Sequence, residues 1–260
     1  MEKNNPLSSL IKDGGYTAIF RSMGVIGDSL ASGEHEAFDG KTTTYHDYYE
    51  YSWGQFLARK CGINVYNFSC GGLTAKEYIN YANMTKSFVP EKSCQAYIIA
   101  LGRNDMNRWD NYEYGFGTIN DVDFENPDNN KDSFVGHYVK IIQKYRRIQP
   151  KSRIFVVTMP VSEGDNGEID QKCDKHAEFL RTLPNYFDFL YVIDLRKYAP
   201  IHDKEFVDTY YCGGHMNAMG YLLTSEQICT YIDYIIRNNP KDFTQVAFIG
   251  KAVHNVNEKW

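Results

Sequence analysis

The segment 24–30 places a potential nucleophile at the end of an apolar run, which stops at Gly27-Asp28-Ser29. A strand that leads into a turn, with a helix just beyond it, would hold the Ser29 hydroxyl at the carboxyl edge of a sheet, where open α/β sheets bind ligands. Such a hydroxyl can attack an acyl carbonyl when a neighbouring base accepts its proton. A serine after an aspartate is also a common turn residue or helix cap, so Ser29 alone does not establish catalysis.

Three later segments contain the residue types that acyl transfer needs beside a nucleophile. The reaction requires a base and donors aimed at the oxygen that becomes negative. His215, in a glycine-rich loop, is the candidate base, and Gly72 and Asn104 are the candidate donors. Simpler interpretations exist, because Gly72 could merely permit a turn, Asn104 could cap a helix and His215 could form a structural hydrogen bond. A shared sheet edge would favour the chemical interpretation.

Five apolar runs predict the strands of such a sheet. They are short enough for buried parallel strands, and helical patterns separate them. The predicted strands are residues 23–27, 63–68, 94–101, 154–159 and 190–194. Their βαβαβαβαβ order implies right-handed crossovers and a parallel sheet with helices on both faces. Ser29, Gly72 and Asn104 each follow one of these strands, so this order brings them to one edge.

Capping residues and apolar spacing predict the intervening helices. Ser52 precedes a three-to-four apolar spacing, and Thr74 with Glu77 has the spacing of a capping box. A strongly amphipathic helix starts near Ser133, and the last helix covers about residues 218–236.

The chain shows no Pro/Ser/Gly-rich linker or charge block, so we expect residues 1–260 to form one domain. The polar, aromatic segment 29–49 is expected to form the rim of the cleft. Residues 106–131 lack periodicity and follow a strand's carboxyl end, so we expect this insertion to cover the cleft. Residues 246–249 are expected to add an edge strand or a dimer contact, with the oligomeric state otherwise unknown.

Composition and charge bear on the class of partner. The net charge of −5, with scattered Lys and Arg, provides no basic stripe for a phosphate backbone, and the longest apolar runs have only strand length. We therefore expect neither a nucleic-acid partner nor a membrane span. The 21 Tyr and 15 Phe favour an aromatic-lined cleft of a kind that suits sugars or other amphipathic ligands.

Six cysteines lie far apart without a CxxC pair, and the N-terminal residues have no apolar secretory core. We expect reduced thiols and a cytoplasmic protein, provided that no signal peptide is missing from this sequence. Cys173 and His176 lack the helical i, i+4 spacing of a metal pair and have no further ligands nearby, so we expect one core and one exposed side chain there. No metal is predicted.

Four ordered blocks of the sequence resemble those of the GDSL/SGNH hydrolase family. The blocks are Gly27-Asp28-Ser29-Leu30, Asn67-x-Ser69-x-x-Gly72-x-Thr74, Gly102-x-Asn104-Asp105 and His215-x-Asn217-x-x-Gly220-Tyr221. With the flanking strand they span residues 24–221, and chance agreement of all four in order is improbable. The resemblance implies a flavodoxin-like three-layer α/β/α sandwich with about five parallel strands, and no cofactor.

The resemblance also implies a role for each candidate residue. In the family the serine attacks an ester carbonyl and a histidine is the base, which match Ser29 and His215. The oxyanion hole of the family consists of the serine N–H, the glycine N–H and the asparagine amide, which match Ser29, Gly72 and Asn104. Losing one such donor typically costs about 3 kcal/mol of transition-state stabilisation.

The sequence departs from the family pattern where the triad acid is expected. That acid stands three residues before the histidine, and Cys212 occupies the position here. A thiol supplies no carboxylate charge near neutral pH unless its pKa is much lowered. Three explanations are open: a backbone carbonyl near Cys212 orients His215 in a Ser-His dyad, Asp208 reaches in from another turn, or activity has been lost. We favour the carbonyl, because holding the right tautomer is much of the acid's task, and this predicts an active but slow esterase.

We therefore expect a serine esterase that cleaves a small acyl ester through an acyl-enzyme, with an O-acetyl group on a carbohydrate as the favoured substrate. A lipid ester is the nearest alternative substrate, and transfer to a sugar hydroxyl would use the same residues. Two hypotheses come from other classes. One is a catalytically degenerate relative that binds a glycan or a partner, and the other is a flavodoxin-like cofactor binder, which Asp28 in the first loop disfavours.

Overall fold

The computed structural model describes residues 5–250, so the ends of the expected domain, residues 1–4 and 251–260, lie outside the described residues. The strands are β1 (Ser22–Gly27), β2 (Glu34–Phe38), β3 (Thr43–Asp47), β4 (Asn64–Ser69), β5 (Ala96–Ala100), β6 (Arg153–Val157), β7 (Leu190–Ile193), β8 (Tyr211–Cys212) and β9 (His215–Met216). The α-helices are α1 (Ser29–Ser32), α2 (Trp53–Cys61), α3 (Ala75–Asn80), α4 (Ala82–Thr85), α5 (Arg103–Asn107), α6 (Phe134–Ile148), α7 (Gly167–Thr182), α8 (Leu195–Tyr198), α9 (Lys204–Tyr210), α10 (Ala218–Asn238) and α11 (Pro240–Phe243).

The five predicted strands form one parallel sheet in the order β4-β1-β5-β6-β7. Numbered within the sheet this is 2-1-3-4-5, the flavodoxin-like order, so the predicted fold is confirmed. In the register, Val25 of β1 lies between Asn67 of β4 and Ile98 of β5. The order reverses between β1 and β5, and crevices at such a reversal are where ligands bind in open α/β sheets.

Two hydrophobic layers cover the two faces of the sheet. Tyr78 of α3 and Phe134 of α6 belong to one layer, and Leu57 of α2 and Ile232 of α10 belong to the other. All four side chains are fully buried. The sheet is thus the middle layer of an α/β/α sandwich, in which apolar burial on both faces fixes its position.

The predicted caps hold the helix starts that lead away from the site. The Ser52 hydroxyl accepts a hydrogen bond from the backbone of α2 at 3.2 Å, and the Ser133 hydroxyl accepts one from the backbone of α6 at 3.1 Å. Thr74 and Glu77 form the predicted capping box at the start of α3.

The edge strand expected at residues 246–249 and the exposed side chain expected at Cys173 or His176 are wrong, while a dimer contact at residues 246–249 stays a prediction. Residues Val246–Phe248 form a 3-10 helix instead of an edge strand, because Val246 is buried in the second hydrophobic layer and its carbonyl accepts a hydrogen bond from Gln95 at 2.8 Å. His176 is fully buried together with Cys173 rather than exposed. Its Nε2 donates to the Leu101 carbonyl at 3.1 Å, which satisfies the ring at that nitrogen.

The segment 106–131 contains short 3-10 turns and packs on the α6 side of the sheet. Phe116 is buried, and its ring lies 5.1 Å from Phe134 and 5.4 Å from Trp109, centroid to centroid. Tyr112 is also buried and reaches Asp105 with its hydroxyl.

Strands β2 and β3 form a separate antiparallel hairpin directly after the first turn of α1. Its residues Glu34 to Asp47 lie within the segment 29–49, which the sequence assigned to the cleft rim. Among residues 5–250, no helix has the combination of length and apolar character that crossing a membrane requires.

Candidate active site

Ser29 stands where β1 ends, as the first residue of α1. Asp28 caps this short helix through its Oδ1, which accepts a hydrogen bond from the Leu30 N–H at 3.2 Å. A Cβ on Gly27 would lie 2.4 Å from the Ala31 Cβ, so only glycine lets the helix turn back this closely on the strand. The local sequence therefore presents a half-buried Ser29 at the sheet edge.

The end of β4 brings the glycine turn beside Ser29. The Cys70 N–H donates to the Gly27 carbonyl at 3.3 Å, which joins the two strand ends. A Cβ built on Gly71 would lie 3.8 Å from the Ser29 Cβ. Gly72 has φ +75°, in the left-handed region that glycine adopts without strain, so the residue type at this turn follows from its backbone.

Asn104 lies at the end of β5, at the start of α5, and its amide faces the same place. Its Nδ2 donates to the Leu73 carbonyl at 3.3 Å and to Asp28 Oδ2 at 3.4 Å. These hydrogen bonds are long, so the amide can exchange them for a developing oxyanion. The structure thus brings Ser29, Gly72 and Asn104 to one edge, as the order of strands required.

Two buried carboxyl groups, those of Asp28 and Asp105, lie next to these residues at the sheet edge. Burial raises the pKa of Asp28 to about 7 and that of Asp105 to about 6. Asp105 accepts hydrogen bonds at Oδ1 from the Ala75 N–H and the Tyr112 hydroxyl, while its Oδ2 is buried without a partner among the described residues. Asp28 therefore carries less than a full charge near neutral pH and holds the turn through hydrogen bonds.

His215 opens the last short strand, β9, which pairs with β8 and packs against α1. Its Nδ1 lies 2.7 Å from Glu36 Oε1. The Gly214 N–H donates to the same oxygen at 2.9 Å. Glu36 therefore occupies the position of the acid that orients a catalytic imidazole and stabilises it when protonated.

The turn before His215 is shaped around the Glu36 carboxylate. Gly213 has φ +71°, and a Cβ there would lie only 1.9 Å from Glu36 Oε2. No larger residue fits at this position while Glu36 stays in place. The Gly-Gly pair thus forms a cradle for a carboxylate from the β2–β3 hairpin.

A second carboxylate of the same strand faces the other ring nitrogen. Glu34 Oε1 lies 3.2 Å from His215 Nε2, close enough for an ion pair. Burial raises the pKa of Glu34 above its ordinary value, and the His215 charge opposes this effect. The imidazole therefore lies between two glutamates.

Among the described residues, neither Asp208 nor Cys212, the two candidates from the sequence for orienting His215, forms a side-chain hydrogen bond with the imidazole. The Asp208 carboxylate accepts a hydrogen bond from Lys204, one turn earlier in α9, and is exposed. Cys212 is exposed and pairs with His215 only as a backbone partner in the β8–β9 hairpin. The carboxylate at Nδ1 comes from Glu36, 179 residues earlier in the chain.

Glu36 is the residue that sequence reasoning missed. The signal was the alternation Glu34-His35-Glu36, because residues i and i+2 of a strand share a face. The segment was interpreted only as a cleft rim, and no pairing partner for it was proposed. A hairpin prediction over residues 34–47 would have put both glutamates on one face.

Comparisons with known proteins agree with this architecture. Residues 25–223 match the model of the GDSL-like Lipase/Acylhydrolase family. Sequence comparison with curated proteins finds no significant match.

Solved structures with a similar fold include three carbohydrate esterases. A family two carbohydrate esterase from Clostridium thermocellum in complex with cellohexaose aligns with a TM-score of 0.58 and 17% identity over 85% of this chain, which spans 65% of that esterase. A family 2 carbohydrate esterase with a carbohydrate-binding domain, from Corynascus thermopiles (Myceliophthora fergusii), aligns with a TM-score of 0.58 and 17% identity, covering 84% of this chain and 67% of that esterase. A carbohydrate acetylesterase from Sinorhizobium meliloti aligns with a TM-score of 0.50 and 16% identity, covering 83% of this chain and 99% of that enzyme. At these identities the likeness shows the fold.

Proposed function

Because the chain belongs to the GDSL-like lipase/acylhydrolase family, we propose that it is a serine esterase that removes small acyl groups, O-acetyl above all, from a carbohydrate. The observation that carries the proposal is the Glu36 carboxylate on Nδ1 of His215, beside the helix that begins with Ser29. It supplies the acid that the sequence lacks at Cys212. A Ser29–His215–Glu36 triad thus replaces the dyad that we favoured from the sequence.

In the proposed mechanism, Ser29 Oγ attacks the ester carbonyl while His215 Nε2 accepts the hydroxyl proton. Glu36 accepts the hydrogen bond from Nδ1–H, which fixes the tautomer and stabilises the imidazolium. The C–O bond to the alcohol then breaks, and His215 returns the proton to the leaving oxygen. Water, deprotonated by the same imidazole, releases the acid from the acyl-enzyme.

The negative oxygen of each tetrahedral intermediate is proposed to bind three donors. These are the backbone N–H groups of Ser29 and Gly72 and the amide of Asn104. No cofactor takes part in this scheme, since the three donors and the imidazole supply the charge stabilisation and the proton transfer.

The carbohydrate substrate is supported by the surface next to the imidazole. Tyr45 of the hairpin lies with its ring centroid 6.0 Å from that of His215, in an edge-on arrangement. Tyr48 and Tyr51 follow it, and all three rings are about half exposed. Exposed tyrosine rings beside a reactive centre suit the apolar faces and hydroxyl groups of a sugar. The solved esterases of similar fold act on carbohydrates and support the same choice.

Two expectations from the sequence are carried forward as part of the proposal. Cytoplasmic location is proposed from the wide spacing of the six cysteines, which form no CxxC pair. We also retain one domain with residues 106–131 as a cover of the cleft, supported by the contact of Tyr112 with Asp105 beside Asn104.

The test compares the wild-type protein with Ser29→Ala on p-nitrophenyl acetate and on an acetylated oligosaccharide. We expect the wild type to hydrolyse both and the variant to hydrolyse neither. A fluorophosphonate probe should add one label to wild type and none to Ser29→Ala in intact mass spectrometry. A preference for long-chain p-nitrophenyl esters would instead support the lipid alternative.

Absence of both hydrolysis and labelling in folded wild-type protein would contradict the esterase. A degenerate glycan- or partner-binding relative would then be the better description. Appearance of an acylated sugar, in place of free acid, would identify transfer through the same residues.

A further inference from the structure

The proposed mechanism leaves one contact of His215 unexplained, the Glu34 carboxylate at Nε2. This is the nitrogen that must accept the proton of Ser29. Glu34 Oε1 lies 3.2 Å from it, and the side chains of both residues are less than one fifth exposed. An ionised carboxylate only accepts hydrogen bonds, so Glu34 pairs with this nitrogen when it is protonated and thereby competes with its role as acceptor of the Ser29 proton.

The other carboxylate oxygen of Glu34 lies at the glycine turn beside Ser29. A Cβ built on Gly71 would lie 2.5 Å from Glu34 Oε2 and 3.8 Å from the Ser29 Cβ. The carboxylate thus rests against the backbone next to Gly72, which is the proposed oxyanion donor. An acyl group that reaches both Ser29 and Gly72 has to take over part of this space.

The backbone of Glu34 is fixed, so only its side chain has freedom to move. The hydroxyl of the buried Tyr221 donates to the Glu34 carbonyl at 2.6 Å. Glu34 also pairs with Asp47 across the hairpin. Glu36, two residues along the same face, holds Nδ1 instead of the nitrogen that must accept the Ser29 proton.

We propose that Glu34 is a positioning residue: its carboxylate holds His215 Nε2 away from Ser29 until the ester displaces it. This proposal rests on the esterase function argued above. Glu34 and Glu36 then have opposite effects on the same imidazole, since Glu36 supports the base and Glu34 competes for it. His215 Nε2 becomes free to accept the Ser29 proton only when the ester enters the site. The Ser29–His215 pair therefore becomes reactive only when substrate is bound.

The charge of Glu34 depends on its neighbours from several elements. The titratable groups that face it are His215 of β9, Glu36 of β2, Asp47 of β3, Cys70 after β4, and the Tyr221 hydroxyl of α10. Desolvation raises the pKa of Glu34 and the imidazole opposes it, so the ion pair forms as the pH rises through that pKa and lasts only while Nε2 carries a proton. Competition should therefore be confined to the pH range in which Glu34 is ionised and the imidazole is still protonated.

The test measures Glu34→Met against wild type with p-nitrophenyl acetate and the fluorophosphonate probe. Met keeps about the length of the side chain, removes its charge and has no N–H₂ group to present to Nε2. We expect kcat/KM and the second-order labelling rate to rise by about fivefold, the size of one partly exposed ion pair, with kcat changed less than about twofold. The gain should disappear at acid pH, where wild-type Glu34 is itself neutral.

Asp47→Asn is the matched control. Asp47 also lies near Glu34 but accepts its hydrogen bond from Ser32 at 2.6 Å, away from the imidazole. Asp47→Asn removes one carboxylate charge near Glu34 without freeing His215 Nε2, so kcat/KM should stay within about twofold of wild type. An equal gain in both variants would mean that charge alone, rather than the contact with Nε2, is responsible.

The outcomes separate this inference from the proposed function. If wild type reacts with the probe but Glu34→Met reacts at the same rate or more slowly over the whole pH range, the competition is refuted and the esterase stands. A drop in kcat for Glu34→Met would also refute it, because a displaced group does not assist the chemical step. If neither protein labels, the esterase itself fails.

Discussion

At the scale of single residues, the imidazole of His215, the proposed base, is held by a carboxylate that lies far from it in the chain. Glu36 meets His215 Nδ1 at 2.7 Å, and the Gly214 N–H shares its oxygen. A carboxylate there does two things that a backbone carbonyl does less well, because it keeps the tautomer and also carries a full charge opposite the imidazolium. The slow esterase expected of a dyad is therefore no longer the expectation.

Replacing Glu36 by glutamine should lower kcat by at least about a hundredfold, because the amide removes the charge opposite the imidazolium and can present its N–H₂ to Nδ1. The measurement is steady-state hydrolysis of p-nitrophenyl acetate, with circular dichroism to show that the fold is kept. Asp208→Ala, which disrupts only the exposed pair with Lys204, is the matched carboxylate control and should be nearly silent.

The reverse pattern would contradict this assignment. A large loss in Asp208→Ala with a mild effect of Glu36→Gln would show that the α9–β9 region rearranges in the active enzyme and brings Asp208 to the ring. Equal, small effects of both changes would favour the carbonyl near Cys212.

The residues differ in how far the sequence could predict them. Ser29, Gly72 and Asn104 were predictable because each follows a strand of a parallel sheet, and that topology alone brings them together. Glu36 was not predictable, because its contact with His215 spans 179 residues and depends on which face of the β2–β3 hairpin packs against the β8–β9 hairpin. Each strand of a hairpin has two faces, and the sequence of the strand does not determine which other loop either face contacts.

At the scale of elements, two small hairpins build the site on top of the sheet. The β2–β3 hairpin supplies Glu36, and the β8–β9 hairpin supplies His215 and the cradle at Gly213. The cradle has no room for a side chain, since a Cβ on Gly213 would lie 1.9 Å from Glu36 Oε2. The glycine therefore matters for the position of the acid as well as for its own backbone angle.

Gly213→Ala should displace the Glu36 carboxylate and lower kcat/KM by about tenfold or more, by weakening the same contact that Glu36→Gln removes. Gly62→Ala is its control: Gly62 has φ +66°, close to the +71° of Gly213, but nothing lies within 4 Å of its added Cβ. Both variants should lose about 1 kcal/mol of stability from backbone strain. Only Gly213→Ala should lose activity, and similar kinetics of the two variants would argue against the cradle.

Elements of the sandwich were predicted well, and the exceptions have physical reasons. Strand and cap signals are local, which is why Ser52, Thr74 and Ser133 mark helix starts as expected. The edge strand expected at residues 246–249 is absent because a short apolar run is compatible with a strand or with a buried turn, and tertiary packing of Val246 decided between them. His176 was misjudged because its burial depends on Gly102, whose missing side chain makes room for the ring.

At the scale of the whole molecule, the site collects negative charge. Glu34 and Glu36 come from β2 and Asp47 from β3, and all three act on one another or on the imidazole. The Arg108 guanidinium donates to the Gly72 carbonyl and is a cation near this cluster. Its charge is already paired with the Glu77 carboxylate at 3.1 Å. The chain as a whole has a net charge of −5, so no distant excess of cations offsets this cluster.

An acidic cleft should repel anionic esters, and the range of this repulsion should shrink as the salt concentration rises. We expect 4-nitrophenyl hydrogen succinate to show a lower kcat/KM than 4-nitrophenyl butyrate, a neutral ester of similar size. The value for the anionic ester should rise severalfold between about 10 mM and about 0.5 M NaCl, since the screening length falls from about 30 Å to a few Å. The neutral ester should change by less than about twofold over the same range. If both esters respond alike, the charge at Glu34, Glu36 and Asp47 does not reach the substrate, and selection must come from the shape of the cleft.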